Sequence, residues 1–206
     1  MHTHDSILKR ILQISPFPGW NADALHSSLS DTLSRLEFDL LFPSGTESLI
    51  SEYRSYLLTL LSESILTLPA ELGVTAKIRW MVRTHFEHMI AHSEAEHAAI
   101  AELYHPSIAI HTPLYVGQLT EVIWRAAGDK STDMNYYTKR VSLGAIYVAT
   151  VIYLHTSNTS IENVMQFFDH RLDDLKSFTS EAKHYTPTPK NIMKNVRLLK
   201  AIFWDN

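Results

Sequence analysis

Apolar residues recur at spacings of three and four along the whole chain, and nowhere is there a sustained alternation of apolar and polar residues flanked by turn signals. A helix returns to the same face every 3.6 residues and a strand every second residue, so this regularity sets the class as all-α. Only six glycines occur among 206 residues. A chain of that length buries one substantial core and is short for two. The expectation is a helical bundle of nine or ten helices.

Punctuation sets the helix limits. A first helix is predicted over about Asp5 to Ile14, where Ser15-Pro-Phe-Pro-Gly19 stops it. Asn21 reads as the N-cap of a short second helix and Ser30 or Asp31 as the opening of a short third. Ser44-Gly-Thr-Glu47 has capping-box spacing ahead of a long fourth helix over Leu49 to Leu66. A fifth begins near Thr75 and continues past His92, followed by a helical run from Ala95 to Tyr104 that Pro106 terminates. Pro113 suits the first turn of a helix over Leu114 to Ala127, and Gly128 suits its C′ position. A long apolar helix spans roughly Asn135 to His155, and Thr159-Ser-Ile-Glu162 is a second capping box, opening a helix to about Phe178. His184-Tyr-Thr-Pro-Thr-Pro189 reads as a tether to a last helix from about Lys190 to Trp204.

Composition removes several function classes. The absence of cysteine excludes disulfides, thiolate catalysis and Cys-ligated metals. With 18 Lys plus Arg against 22 Asp plus Glu, the net charge of -4 gives no global attraction for nucleic acid or an anionic membrane. No apolar run is long enough to span a bilayer; Val141 to Leu154 is too short and is broken by Ser142 and Thr150. The opening Met-His-Thr-His-Asp-Ser has no basic region ahead of an apolar run, so the chain as written is expected not to be a targeted precursor.

Three short helices, then Leu41-Phe-Pro-Ser44 and a long helix, resemble the N-terminal domain of the tetracycline-repressor family over about residues 5 to 66. The charge there speaks against DNA. Residues 1 to 60 hold four cations, Lys9, Arg10, Arg35 and Arg54, against seven carboxylates. In the segment Asp31 to Asp39, matching the recognition helix, one Arg faces three carboxylates, and Gly45 stands where the family usually has Lys. A DNA reader must neutralise phosphates. The expectation is the repressor shape without nucleic-acid binding; the alternative, a ligand-responsive transcriptional regulator, requires DNA affinity that weakens with salt.

His85, His88, His92, His97 and His105 lie close together beside Glu87, Glu94, Glu96 and Glu102. Glu94-x-x-His97, Glu102-x-x-His105 and Glu181-x-x-His184 match the spacing of carboxylate di-iron bundles. Those bundles take one motif from each of two facing helices, whereas here the first two share one run and the second abuts Pro106. The order in Glu87-His88-Met-Ile-Ala-His92 is wrong for a zinc motif. On a helical wheel His85 and His92 share the stripe of Ile78, Met81, Val82 and Met89, and read as partnered core or pocket-lining histidines, with His88 and His97 solvated. No metal, cofactor or catalytic residue is expected; a metal-dependent oxidase would need stoichiometric iron at two of the Glu-x-x-His sites.

In the last helix Ile192, Val196, Leu199 and Phe203 form one face, with Lys190, Lys194, Arg197 and Lys200 opposite and Trp204 at the end. An amphipathic, basic helix on a Pro-containing tether suits an arm lying in a lipid interface. Packing on its own domain or a symmetry mate is the alternative.

The segment Gly128-Asp-x-Ser-Thr-Asp-x-Asn-Tyr-Tyr-Thr-x-Arg140, followed by Ala145-Ile-Tyr147, resembles the signature of the ubiquinone (coenzyme Q) biosynthesis accessory protein family, the ninth protein of the mitochondrial Coq complex, and its bacterial relatives. The likeness runs from about Trp124 to Asp174, including Asp169-x-Arg171, and weakly through Gly19-Trp20. The resemblance implies a tetracycline-repressor-like fold that binds isoprenoid lipid in a pocket, docks on membrane through a C-terminal amphipathic helix, and supports the di-iron hydroxylase acting on demethoxyubiquinone. It implies a domain over residues 1–184, with a degenerate helix-turn-helix part over 1–66 and a ligand-binding part over 67–184. A tether and membrane-binding helix then occupy 185–206.

Carried onto matching positions, the hydroxylase-facing surface would comprise Glu121, Trp124, Asp133, Tyr136 and Tyr137, with Tyr136 where eukaryotic relatives usually show Trp. Gly128 allows the turn, Asp129 and Thr132 or Asp133 can take backbone N–H groups of the next helix, and the tyrosines offer anchor area. For Asp129, Ser131 and Thr132 simple capping is expected rather than direct contact. Met81, His85, Met89, Leu119, Ile123, Leu143, Ile146, Tyr147 and Thr150 would line the lipid, although each alone is compatible with ordinary core packing. The implied protein is non-enzymatic, a homodimer, and peripheral on the cytoplasmic face of a bacterial membrane, or on the matrix side of the inner membrane for mitochondrial relatives.

Overall fold

A computed structural model describes residues 4–132, 134–157 and 159–182. Among the described residues the structure is all-α, as expected: α1 (His4–Ile11), α2 (Ala22–Ser28), α3 (Arg35–Leu41), α4 (Thr46–Ile65), α5 (Val74–Ala91), α6 (Ser93–Ala101), a 3-10 turn (Glu102–Tyr104), α7 (Pro106–Ala109), α8 (Thr112–Ala126), α9 (Met134–Thr156) and α10 (Ile161–Ala182). They form two compact units that divide between residues 133 and 134.

The first unit is organised around α4. Its buried residues Leu49, Ile50, Tyr53, Leu57 and Leu61 recur at helical spacing and form one stripe, on which α1, α5 and α8 pack. From α1, Ile7, Leu8 and Ile11 enter this core, and Phe38 of α3 meets Phe42 with ring centroids 5.1 Å apart. Trp20, also buried, donates its indole N–H to the Ala95 carbonyl at 2.8 Å and lies 5.1 Å from the Tyr53 ring. The loop between α1 and α2 is thereby fixed to α6, and the Glu94 carboxylate accepts from the Phe17 N–H at 2.9 Å.

Several helix starts differ from the sequence reading. Asn21 caps α2 as expected, its carboxamide oxygen accepting from Ala24 N–H at 3.0 Å. The third helix starts later than Ser30 or Asp31: Ser34 is its N-cap and forms the complete capping box with Glu37. At the start of α4 no such box forms. Gly45 is the N-cap, at φ +56° and ψ -124°, a left-handed conformation that lets the chain turn without a side-chain cap. Glu47 instead faces His111 at 3.1 Å. The helix predicted to continue past His92 breaks there, at φ -118° and ψ 40°. Pro106 opens the short α7 rather than merely ending a run. At the start of α10 the Ser160 hydroxyl accepts from Asn163 N–H at 3.4 Å and the Thr159 hydroxyl accepts from the Asn163 side chain at 2.7 Å.

The second unit contains the helical hairpin of α9 and α10. Leu143, Ile146, Tyr147 and Thr150 of α9 and Val164, Met165, Phe168 and Leu172 of α10 are buried. Tyr153 stacks on Phe167 at 4.5 Å with the planes 5° apart. A different face of α9, with Tyr137, Val141, Val148 and Ile152, is exposed along the length of the helix. The final helix predicted from Lys190 lies outside the described residues.

Candidate lipid interior and partner surface

All nine residues expected to line lipid are buried. Met81, His85 and Met89 lie on α5, with Leu119 and Ile123 on α8, which packs against α5 within the first unit. Leu143, Ile146, Tyr147 and Thr150 belong to the second unit, where the Thr150 hydroxyl donates to the Ile146 carbonyl at 2.7 Å and so presents no unmet polar demand.

His85 is the polar member of the α5 stripe. Its Nε2 lies 3.0 Å from the Tyr115 hydroxyl. Burial, with a smaller repulsion from His88, lowers its pKa to about 3, so the imidazole stays neutral at physiological pH. It can offer this interior a hydrogen-bonding nitrogen but no charge. The neighbouring histidines are dispersed, each held by its own contact. His88, expected to be solvated, is half-buried because its Nε2 meets the Ser64 hydroxyl at 3.0 Å. His92 sits 5.9 Å from the Tyr56 ring, exposed His97 lies 2.7 Å from the Ser93 carbonyl, and His105 faces Glu102 at 3.5 Å. Among the described residues no three His, Asp or Glu side chains are grouped to hold a metal. His184 of the third Glu-x-x-His motif lies outside them.

Glu96 is the residue that spacing did not single out. It is buried at the start of α6, where its carboxylate accepts from the Tyr53 hydroxyl at 2.9 Å. Burial raises its pKa, and the Tyr53 hydrogen bond and the Arg54 charge oppose that rise. In the sequence it stands among three exposed-looking glutamates, and only its neighbour Ala95 marks the turn as inward-facing.

The first of the residues expected to face a partner lie at the end of α8. Gly128, at φ +92°, closes a Schellman motif in which Asp129 N–H bonds the Trp124 carbonyl and Gly128 N–H bonds the Arg125 carbonyl, both at 2.9 Å. This motif fixes Trp124, which is half-buried, at the last turn. Glu121 is engaged by Arg125 one turn later. Asp129 folds back onto its own loop, accepting from the Ser131 hydroxyl at 2.7 Å. At the start of α9, Tyr136 and Tyr137 meet edge to face at 5.0 Å. Tyr137 is 63% exposed and Tyr136 only partly so, because the Arg140 guanidinium lies 3.5 Å from the centre of its ring while Nη1 donates to its carbonyl at 3.0 Å. The Arg of the signature therefore holds the first tyrosine, a role its spacing did not disclose. Asp133 and the membrane-arm residues Lys190, Ile192, Lys194, Val196, Arg197, Leu199, Lys200, Phe203 and Trp204 lie outside the described residues.

On the segment matching a recognition helix, Arg35 is held by both Asp39, at 2.9 Å, and Asp23. Its charge is already matched within the protein. No helix among the described residues is long and apolar enough to cross a membrane.

Comparison with known proteins bears on the same stretch. The COQ9 family model matches residues 112–179, which contain α8, α9 and most of α10. "Ubiquinone biosynthesis protein COQ9, mitochondrial" of Homo sapiens is 25% identical over 201 residues, covering 92% of this chain and 63% of the human protein. The coq9 protein of Schizosaccharomyces pombe is 27% identical over 183 residues, covering 83% of this chain and 69% of its own length. A probable coq9 protein of Dictyostelium discoideum is 34% identical over 79 residues, 37% of this chain. The chain spans just under two thirds of the length of the human protein it matches. With the Gly128 to Arg140 signature inside the matched span, the chain is similar to the COQ9 ubiquinone biosynthesis proteins.

Proposed function

We propose that the chain is a non-enzymatic accessory protein of ubiquinone biosynthesis that binds an isoprenoid quinone intermediate and supports a di-iron demethoxyubiquinone hydroxylase at a membrane surface. The observation that carries this reading is the family match over residues 112–179, which includes the turn and tyrosines from Gly128 to Arg140. The candidate residues of α5 and α8, Met81, His85, Met89, Leu119 and Ile123, apolar apart from a neutral His85 bonded to Tyr115, have a chemistry compatible with a quinone ring and an isoprenoid tail. Flexible Met81 and Met89 suit a hydrocarbon of variable shape. The exposed Tyr137, beside an Arg-held Tyr136, is the kind of aromatic anchor a partner enzyme uses. The exposed apolar stripe of α9 favours a homodimer on a tetracycline-repressor-like fold. The basic amphipathic segment from Lys190 to Trp204 would place the protein on the cytoplasmic face of a bacterial membrane.

Native mass spectrometry with lipid extraction tests this on the full chain and on a truncation before Thr188. Co-purified isoprenoid lipid, with liposome binding lost on truncation, is the expected result. An empty protein whose truncation leaves liposome binding unchanged overturns the lipid and membrane parts and leaves only protein docking.

A further inference from the structure

Within the first unit, α4 and the α7–α8 segment enclose a cleft of about 140 Å³ that neither the expected lipid interior nor the partner surface includes. That is far above the roughly 10–15 Å³ that admits one water, yet well below the roughly 300 Å³ at which drug-sized ligands begin. Two stripes of helical spacing face it: Glu47, Ser51 and Arg54 from α4, and His111, Tyr115 and Gln118 from the start of α8. Glu47 and His111 meet at 3.1 Å, whereas two turns further along, the Arg54 guanidinium lies 5.5 Å from the centre of the Tyr115 ring. The seven-residue step from Glu47 to Arg54 is about 10 Å along the helix, so the wall carboxylate is kept away from the cationic end.

Arg54 is half-buried, and among the described residues no carboxylate lies within ion-pair distance of it. Its field reaches Glu96, but that carboxylate is bound by Tyr53 instead. An Arg partly withdrawn from water, set over an aromatic ring and with no carboxylate in ion-pair contact retains its donor fork for a ligand. Gln118 across the cleft adds an amide donor, and buried Ile50 and Ile108 supply apolar wall that strengthens a charge contact.

We infer that this cleft is a seat for a phosphate-class oxyanion, bound by Arg54 with Gln118 beside it. Its dimensions fit a head group and leave no room for a tail, so the anion is either free in solution or borne by an amphiphile whose chain remains outside. The inference does not depend on the lipid reading.

Calorimetric titration of the full chain with inorganic phosphate, and separately with dodecyl phosphate below its micelle concentration, tests it. Saturable binding is expected, weakened about tenfold or more by Arg54→Gln and unchanged by Arg10→Gln, which removes an exposed charge on α1. Gln118→Glu sets a carboxylate at the same end and abolishes binding even if Arg54→Gln proves poorly folded by circular dichroism. Equal affinity for the two probes assigns a free anion, and markedly tighter dodecyl phosphate assigns an amphiphile's head group. No saturable binding of either probe, or full binding by a folded Arg54→Gln protein, overturns the site.

Discussion

Two buried titratable groups in the first unit lie only eleven positions apart, and the fold treats them oppositely. His85 sits inside the α5 stripe, with Tyr115 reaching its edge from a half-exposed position. Glu96 sits at the start of α6, with fully buried Tyr53 donating to it from α4. Burial favours the neutral form of each, and therefore lowers the pKa of the imidazole and raises that of the carboxyl. One Glu/His-rich run in the sequence thus resolves into two groups whose contributions to stability change with pH in opposite senses. Proximity in sequence says little about a shared site.

The largest test of that opposition is acid. Between its ordinary 6.5 and about 3, the unfolded chain binds a proton at His85 that the folded chain refuses. Stability is therefore full above the upper value and is lost as pH falls through this window. One such group costs about 3 kcal/mol between about pH 7 and pH 4. Urea unfolding of wild type and His85→Gln at both pH values should show the variant losing less stability on acidification by about that amount. Equal losses would mean that His85 is accessible to protons in the folded state.

Glu96 predicts the reverse slope. Its folded pKa is raised, so its contribution is fully present below the ordinary carboxyl value and is lost as pH rises through the folded one. Tyr53 opposes that loss by donating to the carboxylate. Tyr53→Phe removes the donor, keeps the ring, and should cost about 1–2 kcal/mol, more at pH 8 than at pH 5. In the Glu96→Gln background the same change should cost less and show no pH dependence. A pH-independent cost in both backgrounds would show that packing, and not the ionised carboxyl, is what the hydroxyl serves.

The same contrast marks what the sequence could disclose. The helical class followed from period alone, and Asn21, Pro113 and Gly128 were legible because each acts on its own backbone neighbours. Capping spacing was less reliable. Ser34 and Ser44 both stand three residues before a Glu, yet only Ser34 forms the box, because Gly45 takes a positive φ and Glu47 turns to His111, 64 positions away. The candidate lipid residues were found as a buried set because burial follows helical period. Glu96 and the Arg140–Tyr136 stack were not, since the first depends on a partner 43 positions away and the second on side-chain conformation rather than residue type.

The smallest test lies on the other side of the comparison. Tyr115→Phe removes the hydroxyl 3.0 Å from His85 Nε2, as Tyr53→Phe removes the one facing Glu96. Tyr115 is half-exposed and the imidazole it meets is neutral, so solvent near the edge replaces part of the lost bond, and no charge is stranded. The expected cost is about 0.5–1 kcal/mol by urea unfolding at neutral pH, below that of Tyr53→Phe. Should Tyr115→Phe prove the more costly, the Tyr115 hydroxyl would be fixing the neutral tautomer of His85 in the core, and the apolar stripe of α5 would depend on that bond rather than on burial.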